Sequence, residues 1–463
     1  MYKWTFCSKS AEQGFGRGCR WADCLRGSLF LFLLLVALPV LRAQQPQDNS
    51  PYSRLGLGEL DEGFLIHQQA MGGLATAYYH PLYLNQKNPA SYAFLRATAF
   101  ESGLYGKYAR IKSATEAGVD EAWTGNLSQL ALGFPLRNPL NEARERKQYD
   151  WHGGMGLGLQ PYTKMDYNVL SIRELEQDTT LNYFVGAGST NLLYWSGALR
   201  YKDFSLGVRL GYLFGQLEYT RSVIFQGIGL AYSNDFSDEL TITGWYGDVG
   251  LMYRHRFRNE EGEKSTDRML IGGLTAKPSS PFGTRSTKVY RTVNPVNPNV
   301  ADTILYEQGL KEEGRLPAYW SVGLMYIEKN KWRIGADYSM EMWSQYVNPP
   351  KQETLVDAYR FSVGAEYVPD YASYNNYLKR IRYRVGFFHR KDPRSISTTL
   401  TETGITMGAA FPIILARQQT SFIHLALGAS RFGNPEALQE TRFRLSVGFT
   451  LNDNTWFYKR KFE

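Results

Sequence analysis

Residues 442–451 read Arg-Phe-Arg-Leu-Ser-Val-Gly-Phe-Thr-Leu. Successive side chains of an extended chain point to opposite sides, so Phe443, Leu445, Val447, Phe449 and Leu451 share one face. Arg442, Arg444, Ser446, Gly448 and Thr450 share the other. The segment therefore reads as a strand with one apolar and one polar face. The pattern recurs at Trp332, Ile334, Ala336, Tyr338 and Met340, which oppose Arg333, Gly335, Asp337, Ser339 and Glu341. It recurs again at Tyr359, Phe361, Val363, Ala365 and Tyr367 against Arg360, Ser362, Gly364 and Glu366, and at Ile381 to Phe387 against Arg382, Arg384 and Gly386.

About fourteen such segments lie between residues 97 and 451, several of them 10–16 residues long. Soluble strands usually run ~5–6 residues, whereas a membrane strand needs ~9–11. Tight turns at Lys202-Asp203 and Lys329-Asn330 contrast with a long connection at 279–317. Short turns on one side and long loops on the other suit an outer-membrane barrel. The expected fold is all-β: a transmembrane antiparallel β-barrel of about 14 strands.

Composition agrees with that reading. Among 463 residues there are 44 glycines and 67 aromatic residues, and a mean hydropathy of −0.37 excludes a polytopic helical membrane protein. A barrel averages out hydrophilic because lipid-facing and lumen-facing residues alternate. Ser28–Leu41 is apolar, follows Lys3, Lys9, Arg17, Arg20 and Arg26, and is too short to span a bilayer. Residues 1–43 therefore read as a signal peptide removed after Ala43. The leader holds six Lys/Arg and two Asp/Glu, so the net +8 falls to +4 in the exported chain, with 46 basic against 42 acidic residues. A nucleic-acid partner is not expected from so small an excess. Cys7, Cys19 and Cys24 all lie in the leader, so disulfide and thiolate chemistry leave with it.

From Leu316 the chain runs Leu-Pro-Ala-Tyr-Trp-Ser-Val-Gly-Leu-Met-Tyr, turns, and continues through Trp332, Ala336-Asp337 and Trp343-Ser344. This block resembles the FadL-type outer-membrane transporters of hydrophobic compounds. Tyr383-Arg-Val-Gly-Phe387 and the triplet Asn88-Pro89-Ala90 are similar to further segments of that family, and the two chain ends look like an uncharacterised Gram-negative branch of it. The resemblance implies a fourteen-stranded barrel with an N-terminal hatch in its lumen. It implies passage of small hydrophobic molecules into or across the outer membrane, with lipid and a hydrophobic ligand as partners.

The expected organisation is a leader at 1–43, a plug at 44–95, a barrel at 96–452 and a periplasmic tail at 453–463. Three groups of residues are candidates for function. Met71, Gly72, Gly73, Asn88, Pro89 and Ala90 combine small residues with a fixed turn, which suits a backbone packed inside a lumen. Gly154, Gly156, Gly158, Pro161 and Tyr162 interrupt the third strand, because proline donates no ladder hydrogen bond and glycines mark bends. A kink there would open the wall sideways. Arg333, Asp337, Glu341, Arg360, Glu366, Arg382, Arg384, Arg442 and Arg444 form a luminal charge ladder expected to pair across strands.

No enzyme is expected. The six histidines show no metal-ligand spacing, position 161 is proline where a dinucleotide fingerprint needs glycine, and no Gly-x-Ser-x-Gly elbow occurs. His389, Asp392 and Ser395 fall near a rim, where a surface lipid hydrolase would carry its groups, but three such residues in a charged stretch are more often incidental. No metal or cofactor is called for. The rival to the channel is a non-transporting barrel serving as a subunit of an envelope secretion or barrel-assembly complex. The arginine-rich lumen, the 279–317 segment and the basic tail would then face a partner.

Overall fold

The computed structural model describes residues 50–454 apart from 115–117, 148, 176–177, 227–230, 259–263, 295, 298–299, 397 and 416–418. The leader and the tail from residue 455 lie outside the described residues. Seventeen ladder segments form one antiparallel sheet. One of them, Glu59–Leu60, belongs to the N-terminal segment, and two wall strands are each split in two, which leaves fourteen wall strands.

In chain order these are β1 (Thr98–Ser113), β2 (Val119–Pro135), β3 (Trp151–Leu175), β4 (Asp178–Tyr201), β5 (Phe204–Phe225) and β6 (Ser233–Arg258). β7 comprises Lys264–Lys277 and Ser280–Val293, and β8 comprises Ala301–Leu316 and Tyr319–Glu328. The remainder are β9 (Trp332–Glu341), β10 (Ala358–Tyr367), β11 (Arg382–Ile396), β12 (Thr398–Leu415), β13 (Gln419–Gly433) and β14 (Leu438–Asp453). β14 pairs with β1 from Asp453↔Thr98 to Leu438↔Ser113, and the barrel closes.

The splits in β7 and β8 fall at Pro278 and Pro317, and they are aligned. Lys277 opposes Tyr319 below the break, and Ser280 opposes Leu316 above it. Missing ladder donors at two facing prolines account for both. The 279–317 stretch, expected from the sequence to be a long outer loop, is mostly strand: the upper halves of β7 and β8, joined at 294–300. Its polar, alternating residues extend the wall beyond the membrane, so height asymmetry is carried by strands and not by loops. A short helix, Pro139–Glu145, lies between β2 and β3 where the sequence showed no sustained helical moment.

On β5 the outward residues are Phe204, Leu206, Val208, Leu210, Tyr212 and Phe214, followed by Gln216, Glu218, Thr220 and Ser222. The apolar run spans roughly 25 Å of tilted strand, the height of an outer-membrane apolar band. Above that band β3 to β8 continue, while β9 and β10 stop after ten residues each.

Residues 50–97 are largely buried against the inward face of the barrel. Glycines make this possible. Gly207 pairs with Gly250, Gly273 with Gly323 and Gly364 with Gly386 across neighbouring strands. A Cβ on Gly386 or Gly364 would overlap the Met71–Gly72 backbone, one on Gly273 or Gly323 would meet Thr76 and Ala77, and one on Gly207 or Gly250 would meet Asn88 to Ala90. Gly72 and Gly73 take φ of 70° and 87°, a left-handed turn that other residues adopt at a cost. Gly386→Val is expected to lower stability by about 1–3 kcal/mol, as overpacking does, and to expose residues 50–97 to protease. Gly106→Ala, whose added Cβ meets nothing within 4 Å, is the control and should leave both unchanged.

Candidate functional site

At the level of the apolar band the ladders of the described residues are continuous except beside β3. There the β2–β3 ladder runs only from Pro135↔Gly154 to Leu130↔Leu159. Beyond it β2 stays with β1, and β3 stays with β4, past a one-residue register shift between Pro161 and Thr163. The ladder is thus kept through Pro161 on the β4 side and lost above Leu159 on the β2 side. A seam opens between the upper parts of β2 and β3.

The N-terminal segment crosses this seam. Glu59 and Leu60 pair with Lys164 and Thr163 on the free edge of β3, and Asp61 N–H donates to the Tyr162 carbonyl at 2.9 Å. The Glu59 carboxylate then reaches Lys107 Nζ on β1 at 2.8 Å and Arg442 Nη1 on β14 at 3.0 Å. Lys164 Nζ donates to Tyr105 Oη at 2.9 Å, a second tie from β3 to β1. Behind the seam lies a luminal cavity of about 140 Å³ whose lining includes Tyr105, Lys107, Lys164, Arg360, Glu402 and Arg442. Asp61, Glu62 and Phe64 separate it from a second cavity of about 120 Å³, lined among others by Lys87, Tyr162, Arg209, Tyr246, Lys277 and Tyr319.

Each plug candidate sits against the wall. Gly72 N–H donates to Thr406 Oγ1 at 2.8 Å, and its carbonyl accepts from Arg360 Nη2 at 2.9 Å. Ala75 and Thr76 N–H both donate to Asp337 Oδ2 at 2.7 Å, so the Ala-Asp pair of β9 holds a turn of the segment. Asn88 caps the short helix Pro89–Phe94, accepting from Ala90 N–H at 3.1 Å, and its Nδ2 donates to the Thr76 carbonyl at 2.6 Å. Ser205 Oγ donates to the Ala90 carbonyl at 2.6 Å.

Gly154, Gly156 and Gly158 of β3 face inward, where Gly154 receives the Tyr92 carbonyl, Gly156 the Tyr92 ring and Gly158 the Tyr194 ring. Their immediate physical role is to admit those groups. The bulge, in contrast, sits at Pro161.

The charge ladder divides into two groups. Glu366 accepts from Arg384 Nε at 2.8 Å and Arg382 Nη1 at 3.0 Å, with Arg333 Nη1 at 3.7 Å, so three strands share one buried carboxylate. Arg360 and Arg442 instead turn to the N-terminal segment, Arg360 pairing with Glu62. Arg444 lies over the Tyr105 ring at 4.0 Å, and Glu341 accepts from the Trp343 indole at 2.5 Å.

Sequence reasoning missed Glu59, Glu62, Lys107, Arg390 and Glu402, and also the buried Arg209–Asp248 pair that holds the Gln86 carbonyl. Arg209 and Asp248 were findable, since both lie on inward positions of their alternations. Asp392 pairs with Arg394 at 2.7 Å in the buried outer lumen, where Arg394 Nη1 also donates to the Tyr52 carbonyl at 3.2 Å. His389 lies apart, bonded to Thr403 Oγ1 at 2.7 Å. Among the described residues no group of His, Cys, Asp or Glu could hold a metal ion.

The BamG family model matches residues 26–463. The chain belongs to the BamG family. Among solved structures this BamG-family chain is similar to a Pseudomonas aeruginosa FadL homologue, at 12% identity over 86% of this chain and 99% of that one, with a TM-score of 0.51. It is also similar to the Pseudomonas putida toluene transporter TodX, at 16% identity over 84% and 99% of the two chains, with a TM-score of 0.50. At these identities the likeness is one of fold: the chain has the architecture of FadL-like outer-membrane channels. The closed barrel and its apolar band place it in the outer membrane. No curated protein matches the chain.

Burial would raise the Glu59 and Glu62 carboxyls, but Lys107 and Arg442 beside the first, and Arg360 and Arg390 beside the second, hold both below the usual range. A carboxyl depressed in the folded state stabilises it above its unfolded value, and that stabilisation fades as pH falls through the folded value. The melting-temperature gap between the native chain and Glu59→Gln is therefore expected to be largest near pH 7 and to shrink below about pH 4. Removing one partner of a buried ion pair typically costs about 3–5 kcal/mol. Glu366→Ala, which strands three guanidiniums, should lose that much in denaturant melts, while Glu436→Ala on an exposed turn should lose none.

Proposed function

We propose that this protein is a plugged outer-membrane barrel of the FadL type that passes small hydrophobic molecules into or across the membrane by way of the β2–β3 seam. Residues 44–95 act as the plug, with 1–43 serving as the export leader. The observation that carries the reading is the ladder's end at Leu130↔Leu159, directly in front of a luminal cavity. Backbone pairing is absent there, and the seam is held by Glu59, Lys164 and a two-residue strand. Side-chain ties of this kind can part without unfolding a wall strand. The names of the similar structures speak of toluene and monoaromatic hydrocarbons, which supports an apolar cargo here, with outer-membrane lipid as the phase it enters. No covalent step is needed, since passage requires only a path and a gate.

A second reading has its own support. Charged groups stand in both luminal cavities, Lys107, Lys164, Arg360, Glu402 and Arg442 in one and Lys87, Arg209, Lys277 and Glu341 in the other, and desolvating them disfavours an oily cargo. The family name BamG adds support for a partner in an envelope complex, and the reading is then a non-transporting barrel subunit of such a complex.

Depletion of the protein separates the two. The channel reading expects lost uptake of a fluorescent fatty acid or toluene, with other outer-membrane barrels at normal levels. A general fall in those barrels, with uptake intact, would establish the subunit reading instead. Amino-terminal sequencing of protein from the membrane should begin at Gln44.

A further inference from the structure

Above the apolar band, β3 to β8 form a curved wall whose concave face looks inward across the barrel mouth. Against that face, at the height of Tyr219 and Phe236, lies a cavity of about 410 Å³. On β5 the outward residues at this height, Gln216, Glu218 and Ser222, are polar and lie past the apolar run that ends at Phe214. Leu57 of the N-terminal segment, Leu217 and Leu240 of the wall, and Trp343, Tyr346 and Leu355 of the β9–β10 connection pack into one apolar cluster that also takes in Tyr167, Phe184 and Tyr219 of the cavity lining.

Two kinds of side chain line it. Tyr167, Phe184, Tyr219, Phe236 and Tyr290 supply ring faces. Arg54, Arg221, Lys288 and Lys351 supply positive charge against Asp238 and Glu239. The cations are laid over the rings: Arg54 stands 4.1 Å from the Phe184 centroid, Arg221 is 5.5 Å from Phe184 and 5.8 Å from Phe236, and Lys351 is 3.8 Å from Tyr219. Lys351 has Glu353 at 3.2 Å. Arg221 Nη2 donates to the neutral Asn182 Oδ1 at 3.0 Å. Among the described residues Arg54, Arg221 and Lys288 have no carboxylate within ion-pair distance. Two guanidiniums held over one phenyl ring without a counter-ion keep N–H groups for an oxyanion, which guanidinium binds in a two-pronged fashion.

We propose that this extracellular cavity binds an anionic glycan. The apolar C–H face of a sugar ring lies flat on Phe236, and its sulfate, phosphate or carboxylate groups are held by Arg54, Arg221 and Lys288. A hydrocarbon would leave the cations unpaired, and a neutral sugar would use the rings alone. The site is independent of whether the barrel transports anything, since it shares no lining residue with the two luminal cavities.

The test is calorimetric titration of the purified full-length mature barrel in detergent with four probes: dextran sulfate, neutral dextran, polyglutamate and inorganic sulfate. Dextran sulfate is expected to bind saturably, at least tenfold more tightly than the other three, and more weakly as salt rises. The double variant Arg54→Gln/Arg221→Gln should lose at least tenfold in dextran sulfate affinity. Phe236→Ala should weaken dextran sulfate while leaving the weak inorganic sulfate signal unchanged. Retained heat-modifiable migration and melting temperature establish that the variants are folded. Equal binding of polyglutamate would overturn the proposal in favour of an acidic peptide. So would dextran sulfate binding that both sets of variants leave intact.

Discussion

The close approach of an N-terminal backbone to a wall stripped of side chains is the constraint on which the rest of this structure depends. A fourteen-stranded barrel has a lumen too wide for its own inward side chains to fill. Here the space is taken by residues 50–97, and they fit because paired glycines on β5 and β6, on β7 and β8, and on β10 and β11 lie where that segment touches the wall. Three separate turns of the segment meet three separate glycine pairs. The segment lies so close to these glycines that the wall cannot carry a Cβ there without displacing it.

Polar groups fix the register that the glycines permit. Asp337 takes two N–H groups of the segment, Arg360 takes a carbonyl and Glu62, and Arg209, paired to Asp248, takes the carbonyl of Gln86. Buried charge pairs add little net stability against apolar alternatives, but leaving one unpaired is costly, so they select one seating of the segment over others. The same logic covers the seam. Where β2 leaves β3, the unmet edge of β3 is taken by Glu59 and Leu60, and the carboxylate of Glu59 is tied back to β1 and β14. The N-terminal segment thus completes the wall as well as filling the lumen.

Much of this was readable in the chain. The period-two alternation of Phe443 to Leu451 and of Trp332 to Met340 has one physical solution in a membrane, a closed antiparallel barrel, and the strand count followed from repetition of the pattern. The inward arginines were readable for the same reason. Their partners were not: alternation says that Arg360 and Glu366 share a face, but only the register and the path of residues 50–97 decide that Arg360 goes to Glu62 while Glu366 serves Arg382 and Arg384. The glycines of β3 were misleading in isolation. Their run suggests a flexible kink, whereas Gly154 and Gly156 are empty because Tyr92, far earlier in sequence, needs the room. The 279–317 stretch looked like a loop because Pro278 and Pro317 punctuate it, and the aligned prolines turn out to be a break within two strands that continue beyond it.

What the amino-acid sequence determined by itself was local and periodic: which residues are extended, which face of each strand meets lipid, and that all three cysteines fall before residue 25. Periodicity is set by bond geometry between neighbours, so it survives without knowledge of the rest of the chain. Tertiary structure alone decided where the ladder stops, which carboxylate each arginine meets and which glycines serve contact more than bending. Those outcomes depend on segments hundreds of residues apart being brought within a few ångströms, and nothing in the spacing of either segment records the distance to the other.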